Sequence, residues 1–590
     1  HTSRVMIGPE QGRENHPRFT FQFCGRGAHS LAVTKRRLRR AGLLAPVWSL
    51  RRENDLGIGD TAALGELIDW AAGNGVGFLQ LLPINETGED NSPYNAISSV
   101  ALEPSLIDLA AVPELAPADL QEAREAVAPE TFTADAVDYD AVKGLKRGLL
   151  EKAFARFWES EREAERGHAF ARFRAEEAGW LDDYCLFRFL MDLEGGKETW
   201  SYWSIRYNTA EKARAYLAEQ VAFREEEVVR RLAYYAWVQW IAFEQWRGLR
   251  NYADENDVKL MGDIPIGISY CSVDVFFERQ WFDLTWYGGA PPETIFKDDA
   301  FACKWGQNWG IPLYRWEVHE DSGFRWWRRR IEKLTDVFEV FRIDHILGFY
   351  RIYAFPWHPR RNGEFLPLSH EEAASRTGGD LPGFKPHADD NEAHCQANLA
   401  QGDKLLQAVL EAAGENEVIG EDLGAVPDYV RPHLKKIGIA GFKIPHWEVK
   451  WDPKTEMEHP IPGSKYDKCS FATYATHDHP PMAAMWNDFR ANLKHAEEGT
   501  RVGAAWNMRV LSEIGNIPLP KEGGSYRAYN QTIQWALIDA LFSCRGDYAA
   551  IMITDLFGLS ERFNTPGTSG LQNWRLRMSF TVAEMSSKPA

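Results

Sequence analysis

The stretch Val337-Phe338-Glu339-Val340-Phe341-Arg342-Ile343-Asp344-His345-Ile346 is a nearly continuous apolar run that ends in charged side chains. A run without regular polar alternation belongs to a parallel strand covered on both faces. Similar segments occur at 43–50 (LLAPVWSL), 77–84 (GFLQLLPI), 258–266 (VKLMGDIPI), 417–423 (EVIGEDL), 439–444 (IAGFKI), 470–478 (SFATYATHD) and 548–557 (YAAIMITDLF). Helical stretches precede several of them, among them 61–74, 228–254 and 404–413. Eight strand-and-helix repeats predict an α/β fold, a closed (β/α)8 TIM barrel.

The repeats are unevenly spaced, so large, mainly helical insertions are expected. Residues 1–40 are polar, end in Lys35-Arg36-Arg37-Leu38-Arg39-Arg40, and read as an N-terminal extension whose basic run is a solvated helix face. Residues 41–590 then form the catalytic barrel. One insertion, at about 105–256, is rich in Ala, Glu and Arg and reads as a helical subdomain, with amphipathic helix at 141–173 and 211–226. A second, 286–314, holds Gly288-Gly289-Ala290-Pro291-Pro292 and Trp305-Gly306-Gln307-Asn308-Trp309-Gly310, the composition of a lid loop over a barrel mouth, with a rigid connector as the alternative. A third, 357–400, is polar.

The 67 basic and 85 acidic residues give a net charge of −18, which argues against a nucleic-acid partner. The chain carries 23 Trp, 20 Tyr and 32 Phe, and sugar rings lay their apolar C–H faces on such planes, although most of these rings will be core packing. Seven scattered cysteines without C-x-x-C spacing favour free thiols over disulfides or a zinc site. With no apolar run of membrane length and no signal peptide, a soluble cytoplasmic protein without a membrane partner is expected.

Three carboxylates stand where apolar runs give way to loops: Asp344, Glu421 and Asp478. Asp344 follows Arg342 by two positions, so strand alternation turns both side chains to one face, where the guanidinium favours an ionised aspartate. That suits a nucleophile. Glu421 closes Val418-Ile419-Gly420 with Asp422 alternating to the other side, and an apolar strand end beside other acids raises the pKa, as a proton donor requires. Asp478 lies between His477 and His479, and carboxylate with imidazole can grip vicinal hydroxyls of a distorted sugar. The His-x-His spacing also raises a metal-dependent hydrolase, but that reading wants the pair on the first strand, and 43–50 has no histidine. No metal is expected.

Many motifs together resemble the amylomaltases, or disproportionating enzymes, the 4-α-glucanotransferases of glycoside hydrolase family 77. The resemblance runs from about Ala41 to Arg577. It rests on Leu56-Gly57-Ile58-Gly59-Asp60, Asn91-Ser92-Pro93-Tyr94, Gly262-Asp263-Ile264-Pro265-Ile266, Ala290-Pro291-Pro292 and Gly306-Gln307-Asn308-Trp309-Gly310. It continues through Arg342-Ile343-Asp344-His345, Glu421-Asp422-Leu423-Gly424 and Thr476-His477-Asp478. Near the end come Arg562-Phe563-Asn564-Thr565-Pro566-Gly567-Thr568 and Asn573-Trp574-Arg575. The resemblance implies Asp344 as nucleophile, Glu421 as acid/base and Asp478 as the third acid. It implies sugar contacts from Ser92, Tyr94, Asp263, Gln307, Trp309, Arg342, His345, His477 and Asn564, and no cofactor. The chain departs from the family at His479-Pro480-Pro481, at Gly441–Trp447, at Ile346-Leu347 and at Ile311, which flank the acceptor and lid sides of the implied site.

The expected activity is transfer of an α-1,4-glucan segment from a donor maltooligosaccharide to glucose or another maltooligosaccharide by double displacement. An amylase-type hydrolase and a non-catalytic α-glucan-binding protein are the rival readings. The oligomeric state is left open by the sequence.

Overall fold

The computed structural model describes residues 39–293, 299–521, 524–568 and 572–588. All but the last two residues of the expected N-terminal extension lie outside these ranges.

Eight parallel strands close into a barrel: β1 (Arg40–Leu44), β2 (Phe78–Gln80), β3 (Lys259–Ile264), β4 (Val340–Ile343), β5 (Glu417–Gly420), β6 (Ala440–Lys443), β7 (Ser470–Ala472) and β8 (Tyr548–Met552). Each pairs with its neighbours in chain order, and β1 closes on β8 with Arg40 opposite Tyr548. Each expected strand segment therefore contributes one barrel strand. The strands are shorter than the expected segments: 77–84 keeps only Phe78–Gln80 and 470–478 only Ser470–Ala472, and two others end in helical turns. β1 begins before residue 43 and ends before Pro46, after which Val47–Ser49 turn into a 3-10 helix. β8 stops at Met552, and Ile553–Leu556 are a buried helical turn that apolarity alone cannot distinguish from strand.

Phe78, Met261, Val340, Ile419, Phe442, Phe471 and Tyr548 pack together as a core inside the barrel. Successive strand residues face opposite sides. Because Met261, Val340 and Ile419 point inward, Asp263, Arg342 with Asp344, and Glu421 continue the same inward face toward the C-terminal mouth. Register completes the placement: Asp263 is level with Arg342, and Ile343 with Gly420.

Between β2 and β3 stand the helices Pro117–Glu125, Tyr139–Arg156, Glu165–Leu193 and Ala210–Glu255. The single helix expected over 141–173 is interrupted by a π-helical turn, Phe157–Glu161. The two expected at 211–226 and 228–254 are one element with a non-helical residue, Arg224 (φ −150°, ψ 54°), at the junction. No helix among the described residues is long and apolar enough to cross a membrane.

The segment expected as a lid loop includes parts of two paired strands and a helix, Ala300–Trp305. Phe282–Ala290 and Gln307–Tyr314 run antiparallel, and Ile352–Phe355 and Gly383–Lys385 extend them into a four-stranded sheet, joining the second and third expected insertions. Register shifts between Asp283 and Tyr287 and between Gly288 and Gly289 hide this pairing from any period-two pattern. Glycine is required here. A Cβ on Gly289 would lie 1.9 Å from the Gln307 carbonyl oxygen, and Gly306 has φ +100°.

Candidate active site

A cleft of about 1360 Å³ opens at the C-terminal mouth of the barrel. Ser92, Tyr94, Gln307, Trp309, Arg342, Asp344, His345, Glu421, His477, Asp478 and Asn564 all line it. Asp263, the remaining residue singled out from the sequence, lies buried beside Arg342.

Arg342 organises the floor. Its side chain is only 3% exposed, and it bridges two carboxylates: Nη1 donates to Asp263 Oδ1 and Oδ2 (2.8 and 2.6 Å), and Nη2 donates to Asp344 Oδ1 (2.7 Å). Burial pulls its pKa down, but the charges of Asp263 and Asp344 outweigh this and hold it well above the ordinary arginine value. Tyr94 OH donates to Asp263 Oδ2 (2.7 Å), and its ring stacks on His477 (4.9 Å, 16°). Burial, with Asp263 beside it, raises the Tyr94 pKa far above that of a free phenol, so it remains a hydrogen-bond donor.

Glu421 continues β5 on the opposite side of Asp344. Its Oε2 accepts the backbone N–H of His345 (2.8 Å), and Oε1 accepts that of Leu423 (3.1 Å). His345 has φ +46°, a left-handed conformation that aims its N–H at this carboxyl. Burial dominates and, with Asp344 and Asp422 adding repulsion, pushes Glu421 up to about 8 against the pull of Arg342. Asp422 turns the other way, as alternation requires, accepting from Phe442 N (2.6 Å) and Arg431 Nε (2.9 Å).

Asp478 belongs to the loop after β7. Its Oδ1 accepts from Asn564 Nδ2 (2.6 Å), its Oδ2 lies 3.3 Å from His477 Nε2, and its carbonyl accepts from Arg562 Nη2 (2.6 Å). Burial opposes its ionisation, yet His477, the Asn564 hydrogen bond, Arg342 and His479 together bring the carboxyl below the usual range. Within one cleft the surroundings thus push one carboxyl up and hold another below the usual range.

Trp309, on the strand Gln307–Tyr314, meets His345 edge-on (5.1 Å, 85°) and donates its indole N–H to Gln307 Oε1 (3.1 Å). Asn308 Nδ2, bound to the Trp357 carbonyl (3.0 Å), ties that strand to the segment after Ile352–Phe355.

Of the lining residues not singled out as site residues from the sequence, Trp574, His479 and Trp447 make ring contacts at the cleft. Trp574 (φ +62°) packs against both Tyr94 and His477, with ring centroids 5.7 Å from each. Its signal was the Asn573-Trp574-Arg575 motif. His479 turns Nδ1 to the Thr476 hydroxyl (2.9 Å), is pushed down to about 4 by burial, and meets Trp447 at 5.3 Å. The departures at 441–447 and 479–481 were the signal, since they converge on this one wall.

The fold is that of a (β/α)8-barrel enzyme. A sequence model of the family described as 4-alpha-glucanotransferase, glycoside hydrolase family 77, matches residues 45–582, and the chain belongs to that family. The 4-alpha-glucanotransferase of Chlamydia caviae is 30% identical over 554 residues (93% of this chain, 92% of the relative), and that of Thermus thermophilus is 30% identical over 514 residues (85% and 87%). Among solved structures, Streptococcus agalactiae amylomaltase in complex with acarbose superimposes with a TM-score of 0.70 at 24% identity, covering 92% of this chain and 95% of that one. The last likeness is one of fold. The chain is a 4-alpha-glucanotransferase by family and by its relatives.

Proposed function

We propose that this enzyme transfers α-1,4-glucan segments by a retaining double displacement, with Asp344 as nucleophile, Glu421 as acid/base and Asp478 as the third acid. Glu421 gives its proton to the glycosidic oxygen as Asp344 attacks C1, and the donor's reducing-end part leaves with that proton. Glu421, now a carboxylate, takes the proton from the 4-hydroxyl of an acceptor sugar. That oxygen attacks C1, the ester to Asp344 breaks, and an α-1,4 linkage is restored. Asp478 and His477 hold hydroxyls of the distorted ring, and Tyr94, Asp263 and Arg342 keep the floor rigid and charged.

One observation carries the assignment of roles. Of two carboxyls at the ends of adjacent strands, Asp344 is paired with a buried guanidinium, while burial pushes Glu421 up to about 8. An attacking group must be ionised and a proton donor must not. The strand with Gln307 and Trp309 lies against the cleft, which supports exclusion of water in favour of a sugar acceptor.

Incubation with maltotriose, resolving products by chain length, tests this reading. A ladder spaced by one glucose, with free glucose accumulating, is expected. Glucose and maltose alone would mean hydrolysis.

A further inference from the structure

After β6 the chain forms a hairpin, Val449–Asp452 paired antiparallel with Met457–Pro460. It begins at Trp447, which lines the cleft and is 47% exposed, and it carries Trp451, which is 57% exposed. Among the described residues, Trp309 is a further exposed indole that lines the cleft.

The hairpin is tied down from both sides. Lys443 Nζ pairs with Glu448 Oε2 (2.9 Å) at its base. On the helix Glu498–Ile514, Trp506 Nε1 donates to Glu458 Oε2 (3.1 Å), Arg509 Nη2 donates to the Glu458 carbonyl (2.6 Å), and Glu513 Oε2 is 2.8 Å from His459 Nδ1. Glu458 is level with Trp451 in the hairpin register, so residues on one face place two indoles, Trp451 and Trp506, around a carboxylate. A ring to stack on and an acceptor for hydroxyls beside it are what a pyranose needs.

We infer that the hairpin is a second glucan-binding platform, on which Trp451 holds distal glucose units of a linear α-1,4-glucan whose scissile linkage lies in the cleft. The inference rests on the glucan-transfer reading. Trp451 lies four positions beyond Trp447, at most ~14 Å along the chain, a span that a few consecutive glucose rings bridge. Position selects the occupant: Trp447 lines the cleft, and Trp451 stands within that span of it. Short donors end before it, so the platform discriminates by length and contributes nothing to bond cleavage.

Trp451→Ala and Trp451→Phe, both at an exposed position, are compared with the unsubstituted enzyme in two assays: turnover of maltotriose against long amylose, and retardation in amylose-containing native gels. Loss of one stacking contact should raise KM for amylose about fivefold and abolish part of the retardation. Maltotriose kinetics should be unchanged, and Phe should restore most of the effect. Equal retardation of all three proteins, equal loss on both substrates, or a change of sedimentation that marks the indole as a contact between copies of the chain, would overturn the inference. The gel reads binding without turnover, so absence of transfer by the unsubstituted enzyme would count against the transfer reading and leave the platform separately decided.

Discussion

Arg342 Nη2 donates to Asp344 Oδ1 at 2.7 Å across two residues of one strand, while Nη1 holds Asp263 from the neighbouring strand. One buried guanidinium therefore orients the proposed nucleophile and sets a positive charge beside it. Replacing it leaves two acids facing each other in a buried site. Arg342→Met should cost about 3–5 kcal/mol of stability and abolish transfer, and Arg342→Lys should retain the fold but little activity, because a point charge cannot bridge two carboxylates as a fork does. Thermal unfolding beside transfer rates checks both.

Asp344→Asn should lower kcat by ~10³-fold or more while leaving circular dichroism and melting near those of the unsubstituted enzyme. The amide keeps the shape but cannot form the ester. Near-normal release of glucose from maltotriose by this variant would sink its role.

Glu421 gives a prediction with a definite sign. Its carboxyl is raised from 4.5 to about 8, so between these values the folded protein holds a proton that the unfolded chain has lost. Stability from this group is therefore full below pH 4.5 and declines as pH rises to about 8. Glu421→Gln lacks that decline, so its melting advantage should be absent at low pH, grow through this window and level off above it. Activity should fall on the alkaline side as the proton donor is lost. A melting difference independent of pH would contradict the burial argument.

Tyr94→Phe removes one hydrogen bond from buried Asp263 but keeps the ring that stacks on His477. A cost of about 1–3 kcal/mol is expected from the unpaired acceptor. The variant should bind donor more weakly and lose less in kcat than any carboxylate variant. A kcat loss as deep as that of Asp344→Asn would show that the hydroxyl does more than orient.

Gly289→Ala brings a Cβ to 1.9 Å from the Gln307 carbonyl, so the strand bearing Gln307 and Trp309 must shift. Overpacking of about 1–3 kcal/mol is expected. If this strand keeps water out, the ratio of hydrolysis to transfer should rise in the variant, measured as reducing ends released per new oligosaccharide.

Much of this was legible from residue order alone. The eight barrel strands could be read because burial on both faces makes them continuous apolar runs. Arg342, Asp344 and Glu421 could be read because alternation carries a face from core to mouth, whereas Asp263 came only through the family resemblance. What could not be read depends on partners distant in sequence. The sheet built from Phe282–Ala290 and Gln307–Tyr314 has shifted register and many glycines, so it looks like loop. Trp574 reaches Tyr94 across nearly the whole chain, and the meeting of Trp447 with His479 joins two loops whose departures had looked separate. The sequence showed an acid run at Glu421-Asp422 and predicted a raised pKa, but not that the left-handed His345 would supply its N–H partner.

The central claim is a covalent glucosyl-type ester on Asp344, formed with Glu421 as the acid. An activated donor such as maltotriosyl fluoride needs no proton to leave, so Glu421→Gln should still form the ester and then stall for want of a base. Mass spectrometry of the digested variant should find the sugar adduct on the peptide containing Asp344. An adduct on any other residue, or continued turnover with no adduct, would contradict the account.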